Sequence, residues 1–260
     1  MPASALQAVN LCFHYPRTGW QLGPLSLTIQ TGILTGLIGP NGSGKSTLLN
    51  LLARRSTAQG SLTLAGRPAG RFSDIEWART VAYLPQQIPL HYDFSVEEAI
   101  AFGRYPHTGF MGFLQPRDHE IIERCLIDTE LTGLRSRMLS ELSGGERQRV
   151  FLASVLAQEP HVLFLDEPLT ALDIHHQVAF YRVLQQCCRN GITVVLATHE
   201  LTMAAHFCEE LLLLSQGSIV KHGSPREVLQ EELLHSVYSS NVRIVFPDNA
   251  DTPVIVPAFD

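Results

Sequence analysis

The chain has 260 residues, 45% of them hydrophobic and 17% charged, with a formal net charge of −6 and a pI near 6.0. That balance excludes a disordered or fibrous chain and leaves room for one large domain or two modest ones. No run of Lys or Arg exceeds a pair such as Arg54-Arg55, so electrostatics argue against a nucleic-acid partner.

Residues 6–13 and 25–30 alternate well enough to predict strands of a sheet with one covered face. Residues 33–38 are almost continuously apolar up to Gly39, which suits a buried parallel strand. A Gly-rich loop follows, and 45–55 reads as a helix with Leu48, Leu49, Leu51 and Leu52 on one side. Short strands are expected at 61–64 and 81–84. From about 88 to 158 helical patterns dominate: 96–102 behind Ser95 as N-cap, 117–127, and 145–157. Buried strands return at 162–165 and 192–197, and 209–214 with 218–221 predict a hairpin around Gln216-Gly217. Ser224-Pro225-Arg226-Glu227 starts another helix, with an N-cap, a Pro at the first position and a Glu at the third. The pattern is a mostly parallel α/β core over 1–240, with a helical subdomain inserted at about 88–158. Residues 241–260 form a C-terminal extension. Its part 248–260, with Pro247, Pro253 and Pro257 in or beside it, reads as a loosely held tail.

No apolar run approaches the ~18–20 residues that cross a bilayer. Met1-Pro2-Ala3-Ser4 has neither a basic n-region nor an apolar h-region, which predicts a chain that is not exported. The five cysteines show neither metal-ligand spacing nor a disulfide framework and read as reduced, mostly buried thiols. Work at a membrane would have to pass through a partner.

The chemistry is concentrated in two places. Gly39-Pro40-Asn41-Gly42-Ser43-Gly44-Lys45-Ser46-Thr47 is a complete phosphate loop between a strand and a helix. Its glycines let successive N–H groups turn inward as an anion nest, and the helix N-terminus adds partial positive charge. Lys45 would reach the β- and γ-phosphates of a nucleoside triphosphate, and the Ser46 hydroxyl would ligate Mg²⁺. Asp166 and Glu167 end an apolar strand, where carboxylates are costly unless a cation or donor meets them. With Mg²⁺ at Ser46, Asp166 would hold the metal shell and Glu167 would polarise the water attacking the γ-phosphate. A strand simply leaving the core at Asp-Glu-Pro is the competing reading.

Between the two lies Leu142-Ser143-Gly144-Gly145-Glu146, and with it the chain resembles the ATP-binding cassette (ABC) ATPases from about residue 5 to 235. The resemblance implies a P-loop NTPase fold of the ABC ATPase type, with a mostly parallel core sheet, an antiparallel β subdomain and a helical subdomain. It also implies that Gln86 is the Q-loop glutamine serving Mg²⁺ and the attacking water, and His199 the switch histidine sensing the γ-phosphate. Asp173, in Thr170-Ala171-Leu172-Asp173, would be the D-loop residue. Tyr15 stands where family members stack an aromatic on adenine, with core packing as the alternative. The signature residues Leu142, Ser143, Gly144, Gly145 and Glu146 would cap the ATP of a second copy, giving a homodimer with two shared nucleotides. Glu146 departs from the usual Gln, and Leu169 from the usual Ser or Thr.

Further stretches are similar to the ATPases of iron-complex importers, those for ferric hydroxamate and catecholate in particular. They are Val81-Ala82-Tyr83-Leu84-Pro85-Gln86-Gln87, Gly103-Arg104-Tyr105-Pro106-His107, the continuation of the signature to Arg149, and Leu172-Asp173-Ile174-His175-His176-Gln177. Such an ATPase would sit peripherally on the cytoplasmic face of the inner membrane. It would drive a polytopic permease served by a periplasmic or surface substrate-binding protein, and the Gly103–His107 stretch would lie on the face meeting the permease. Haem, cobalamin or a metal ion is the alternative cargo. An exporter or amino-acid importer cassette is a further alternative. A non-transport ABC protein would prefer tandem cassettes, long coiled coils or a basic face, none of which the sequence carries.

Overall fold

The computed structural model describes residues 4–89, 92–109, 112–170, 172–238, 242–246 and 252–257. Strands β1 (Ser4–His14) and β2 (Gln21–Gln30) pair antiparallel. Along β2, Leu25, Leu27 and Ile29 alternate inward. On β1 the inward set shifts from Leu6 and Ala8 to Leu11 across a register break, where Asn10 takes a φ of 52°. Strand β3 (Leu34–Ile38), buried at all five positions, runs through the Gly-rich loop into helix α1 (Lys45–Leu52). Strands β4 (Gln59–Leu64) and β5 (Arg67–Pro68) complete an antiparallel sheet of order β2-β1-β4-β5. Helix α2 (Asp74–Thr80) opens on a capping box. Ser73 Oγ accepts the Glu76 N–H at 3.2 Å, and the Glu76 carboxylate accepts the Ser73 N–H at 2.7 Å.

Strand β6 (Val81–Leu84) then leads to α3 (Val96–Ala101), α4 (Pro116–Asp128) and α5 (Gly144–Leu156). The chain returns to the core through β7 (Val162–Asp166), α6 (Ile174–Arg189), β8 (Thr193–Ala197), α7 (Leu201–Phe207), β9 (Glu210–Ser215) and β10 (Ser218–Gly223). Gln216 and Gly217, with φ of 46° and 76°, supply the two left-handed residues that a two-residue hairpin turn requires. Helices α8 (Pro225–Val228) and α9 (Glu231–Tyr238) and the antiparallel pair β11 (Val242–Val245) and β12 (Val254–Pro257) follow.

The larger sheet has the order β10-β9-β3-β8-β7-β6, parallel throughout except for β10 at its edge. Its two faces are covered by different cores. Leu163 and Leu165 point toward α6 and α7, whereas Val162 and Phe164 point toward α1 and the antiparallel sheet. Burial on both sides is why such strands read as unbroken apolar runs. Helices α3, α4 and α5 enclose a third core around Ile100, Ile121, Leu126 and Val150. Among the described residues no helix is long and apolar enough to cross a membrane. All five cysteines are free, and burial pushes the Cys125 and Cys187 thiols up to about 12, which leaves them inert.

One expectation is corrected. Strand β12 is not a loose tail: it pairs with β11, and its Ile255 N–H donates to Thr202 Oγ1 on α7 at 3.2 Å. The β-branched run Val254-Ile255-Val256 favours a strand, and the prolines at 253 and 257 sit at its ends, where an edge strand tolerates them. The rest of the 248–260 stretch lies outside the described residues, apart from Thr252 and Pro253. The Gly103–His107 turn is mixed, with Arg104 buried and Tyr105 exposed. A Cβ on Gly103 would lie 1.9 Å from the Ser154 carbonyl oxygen, so this turn and α5 meet backbone to backbone. Arg104 is only 2% exposed, and its guanidinium donates to Asp118 Oδ1 at 2.8 Å, Ala157 O at 2.6 Å and Glu159 Oε2 at 3.1 Å. Tyr105 and Phe102 are the members of this turn that face outward.

Burial would raise the Asp118 carboxyl, but the Gln115 N–H and Arg104 hold it below its ordinary value of 3.8. A depressed folded-state value means that the pair stabilises the fold above the ordinary carboxyl range and ceases to do so as pH falls through the folded one. Arg104→Met leaves Asp118 buried without its counter-charge, and is expected to cost about 3–5 kcal/mol in urea unfolding at neutral pH. The loss should shrink on acidification as Asp118 protonates. A loss independent of pH would remove the charge pair as its cause.

Candidate nucleotide and catalytic site

Four neighbouring parallel strands bring the site together. In the order β3-β8-β7-β6 they end, respectively, at the phosphate loop, just before His199, at Asp166-Glu167 and just before Gln86. Parallel strands share one carboxyl edge, so residues far apart in sequence converge there.

The loop's backbone is committed by its glycines. Gly39 has a φ of 151°, and a Cβ there would stand 2.1 Å from the Leu214 carbonyl oxygen. Gly44, with φ 108°, occupies the N-cap of α1 without a side-chain cap, leaving the first N–H groups of that helix to an outside acceptor. Lys45 is 5% exposed and folds back over the loop, donating to Gly39 O at 2.9 Å and Pro40 O at 3.4 Å while pairing with Glu167 Oε1 at 3.3 Å. Ser43 Oγ is buried without a hydrogen-bond partner among the described residues.

Opposite the loop, Asp166 is 3% exposed and accepts from Ser46 Oγ (3.0 Å to Oδ1) and from the Tyr83 hydroxyl (3.0 Å to Oδ2). Burial pushes its carboxyl above the ordinary range, the two hydroxyls pull it back, and the adjoining Glu167 adds repulsion. Glu167 has a φ of 47°, the left-handed region, and its N–H donates to Ala197 O at 3.1 Å. That turn aims the carboxylate at the cleft instead of along the strand, at a conformational cost of roughly 1–3 kcal/mol. Gln86 Nε2 donates to Glu167 Oε2 at 3.2 Å, and His199 Nδ1 lies 3.8 Å from the same oxygen. The other ring nitrogen of His199 stands 3.2 Å from Glu200 Oε1.

Of these groups Gly44, Lys45, Ser46, Gln86, Glu167 and His199 line an open cleft of about 1000 Å³, together with Asn41, Gly42, Thr47, Thr18, Thr170, Tyr15 and Trp20. Tyr15 is half-exposed, its hydroxyl 3.2 Å from Thr47 Oγ1 and its ring between Phe13 and Trp20. At 42% exposure the ring is packed on part of its surface and open to the cleft on the rest. Trp20 and Thr18 escape sequence reasoning because they sit in a turn between strands, where no period marks a functional side chain.

The signature residues lie elsewhere. None of Leu142, Ser143, Gly144, Gly145 and Glu146 lines the cleft. Ser143 is the N-cap of α5: its Oγ accepts the Glu146 N–H at 3.3 Å, and Glu146 Oε2 takes the Ser143 N–H at 2.8 Å. Glu serves that reciprocal cap as Gln would, and the Ser143 bonds hold its carboxyl below the ordinary range. A Cβ on Gly145 would meet the His176 ring at 3.3 Å, so α5 and α6 begin side by side. Asp173 caps α6, accepting from the His176 N–H at 2.9 Å; Ala171 of the same loop lies outside the described residues. Leu169, the other departure, is buried in the core beneath the loop.

A family model described as ABC transporter matches residues 22–170. The chain belongs to the ABC transporter family. This ABC ATPase is 37% identical over 252 residues to a petrobactin import ATP-binding protein of Bacillus anthracis, covering 96% of its own length and 92% of the relative's. It is 37% identical over 237 residues to a hemin import ATP-binding protein of Thermobifida fusca (strain YX), covering 91% and 83%. A solved transporter assigned to the metal-chelate type, in an inward-facing conformation, superposes with a TM-score of 0.86 at 26% identity over 98% of each chain. The mixed architecture expected from the sequence is thus the ABC ATPase fold, that of a cassette that uses ATP.

The ABC ATPase also has the donors for a hard cation. Ser46 Oγ and Asp166 Oδ1 face each other, and the carboxylate is desolvated with no full counter-charge touching it. Among the described residues no three His, Cys, Asp or Glu side chains cluster as a metal cage. That suits Mg²⁺, which binds through one or two protein oxygens and completes its shell with phosphates and water.

Proposed function

We propose that this ABC ATPase powers the uptake of a ferric siderophore or a related iron complex through a membrane permease, working as a homodimer on the cytoplasmic face. The observation that carries the dimer is the separation just described. The phosphate loop, Glu167, Gln86 and His199 line one open cleft, with Asp166 behind Ser46, while the signature Ser143-Gly144-Gly145 opens a different helix outside it. An anion site that its own cleft does not use is explained by a second copy, whose triphosphate it closes.

In this reading Lys45 and the loop N–H groups hold the phosphates, while Ser46, Asp166 and Gln86 would hold Mg²⁺, which would supply electrostatic neutralisation of the phosphate charge. Glu167 accepts the proton of the attacking water, oriented by Gln86, and His199 donates toward the γ-phosphate. Tyr15 offers its ring to adenine. Asp173 faces the other copy. The outward Tyr105 and Phe102 belong to the face that would meet the permease, held from within by Arg104. The iron-complex cargo is supported by the import proteins to which the chain is similar. A permease and an external binding protein would select that cargo.

Ser143→Arg tests the shared site. The variant is expected to bind ATP as the wild type does yet to remain monomeric with ATP and Mg²⁺ on size-exclusion chromatography. An ATP-dependent dimer from this variant would sink the sandwich. Uptake of radioactive iron chelates, haem and cobalamin by a deletion strain identifies the cargo, and loss of cobalamin uptake alone would overturn the iron assignment.

A further inference from the structure

The carboxylate assigned to the metal is gripped from its far side as well. Tyr83, on β6, donates its hydroxyl to Asp166 Oδ2 at 3.0 Å. Asn50, on α1, donates from Nδ2 to the Tyr83 hydroxyl oxygen at 3.2 Å and to Ser46 O at 2.7 Å. Ser46 Oγ donates to Asp166 Oδ1 at 3.0 Å, closing a ring of four hydrogen bonds through α1, β6 and β7. The ring fixes a direction. A phenol has a single hydrogen, and with Asn50 filling an acceptor position on its oxygen that hydrogen is left to Asp166. The Arg55 guanidinium lies over the Tyr83 ring, 4.8 Å from its centroid, and holds its plane.

We propose that Tyr83, oriented by Asn50, is a positioning residue for the metal step: it ties down Asp166 Oδ2 so that Oδ1 stays beside Ser46. A carboxylate anchored at one oxygen cannot rotate its other away, and partners of this kind commonly set the affinity of a metal site. The arrangement also couples two parts of the machinery. Tyr83 stands three residues before Gln86 on the same segment, and Gln86 contacts Glu167. A displacement of the end of β6 therefore reaches the metal carboxylate and the catalytic carboxylate together.

The inference rests on Asp166 and Ser46 being the metal partners, so both are tested. Tyr83→Phe deletes one hydroxyl and keeps the ring under Arg55. Binding of Mn²⁺ to the nucleotide-loaded protein is followed by electron paramagnetic resonance, nucleotide affinity is measured in EDTA, and the Mg²⁺ dependence of turnover is recorded. Tyr83→Phe is expected to weaken Mn²⁺ binding and raise half-saturating Mg²⁺ by about ten-fold or more, with metal-free nucleotide affinity unchanged. Asn50→Ala should shift the metal terms the same way. Asp166→Asn is the reference and should abolish tight Mn²⁺ binding. If it does while Tyr83→Phe binds Mn²⁺ normally, even with a lowered melting temperature, the tyrosine is only a staple between β6 and β7 and the positioning role is overturned. If Asp166→Asn also binds Mn²⁺ normally, the metal assignment itself fails, a distinct result.

Discussion

Glu167→Gln should retain ATP yet lose about two to four orders of magnitude in turnover, the range supplied by a positioned general base. The reasons lie in its contacts. The amide oxygen can still accept from Gln86 Nε2, which reaches Glu167 Oε2 at 3.2 Å in the wild type, so the side chain keeps its place. What disappears is the capacity to take a proton from the attacking water. With hydrolysis stalled, the nucleotide-bound dimer should accumulate and be visible by size-exclusion chromatography. The charge of Glu167 also faces Lys45 at 3.3 Å, and removing it frees the ammonium for phosphate, which favours retention further. Wild-type turnover in this variant would take Glu167 out of the mechanism and leave Asp166 as the carboxylate to examine.

Lys45→Ala should raise the dissociation constant for ATP about 100-fold or more, equivalent to roughly 3 kcal/mol. Lys45 is buried, and its ammonium spans the loop carbonyls of Gly39 and Pro40 and the Glu167 carboxylate. Its loss leaves Glu167 beside Asp166 with no cation between the two carboxylates and an incoming triphosphate. Both effects have the same sign, repelling the nucleotide. Titration of a fluorescent ATP analogue gives the number directly. A dissociation constant equal to that of the wild type would show that the loop N–H groups alone hold the phosphates.

The phosphate loop and the end of β7 were legible in the sequence because their chemistry demands specific residue types at fixed spacing. A buried parallel strand, a glycine that no Cβ could replace and a lysine at the helix start cannot be rearranged. The signature was legible for the same reason, as Ser143 and Glu146 also form a capping box. Shorter elements were harder. Helix α2 has seven residues, too few to establish a period, although Ser73 and Glu76 carried its start signal. Helix α7 lacks a side-chain cap altogether. Tyr83 lies in a stretch similar to the importers, but a tyrosine at a strand position ordinarily means packing. Only the fold shows that β6 lies next to β7, which is what sets that hydroxyl against Asp166. The prolines of the C-terminal stretch pointed away from structure, and the edge pairing of β11 and β12 overrode them.

Helix α5 carries the signature at one end and the buried Arg104 clamp near the other, on the carbonyl of Ala157. Its 13 residues make an unbroken rod of about 20 Å. A rod gripped in this way tilts as one piece. Any load on the protruding Tyr105 would therefore be delivered to Ser143 as a change of aim, and in the function proposed above α5 would act as a lever between the permease and the partner copy's nucleotide.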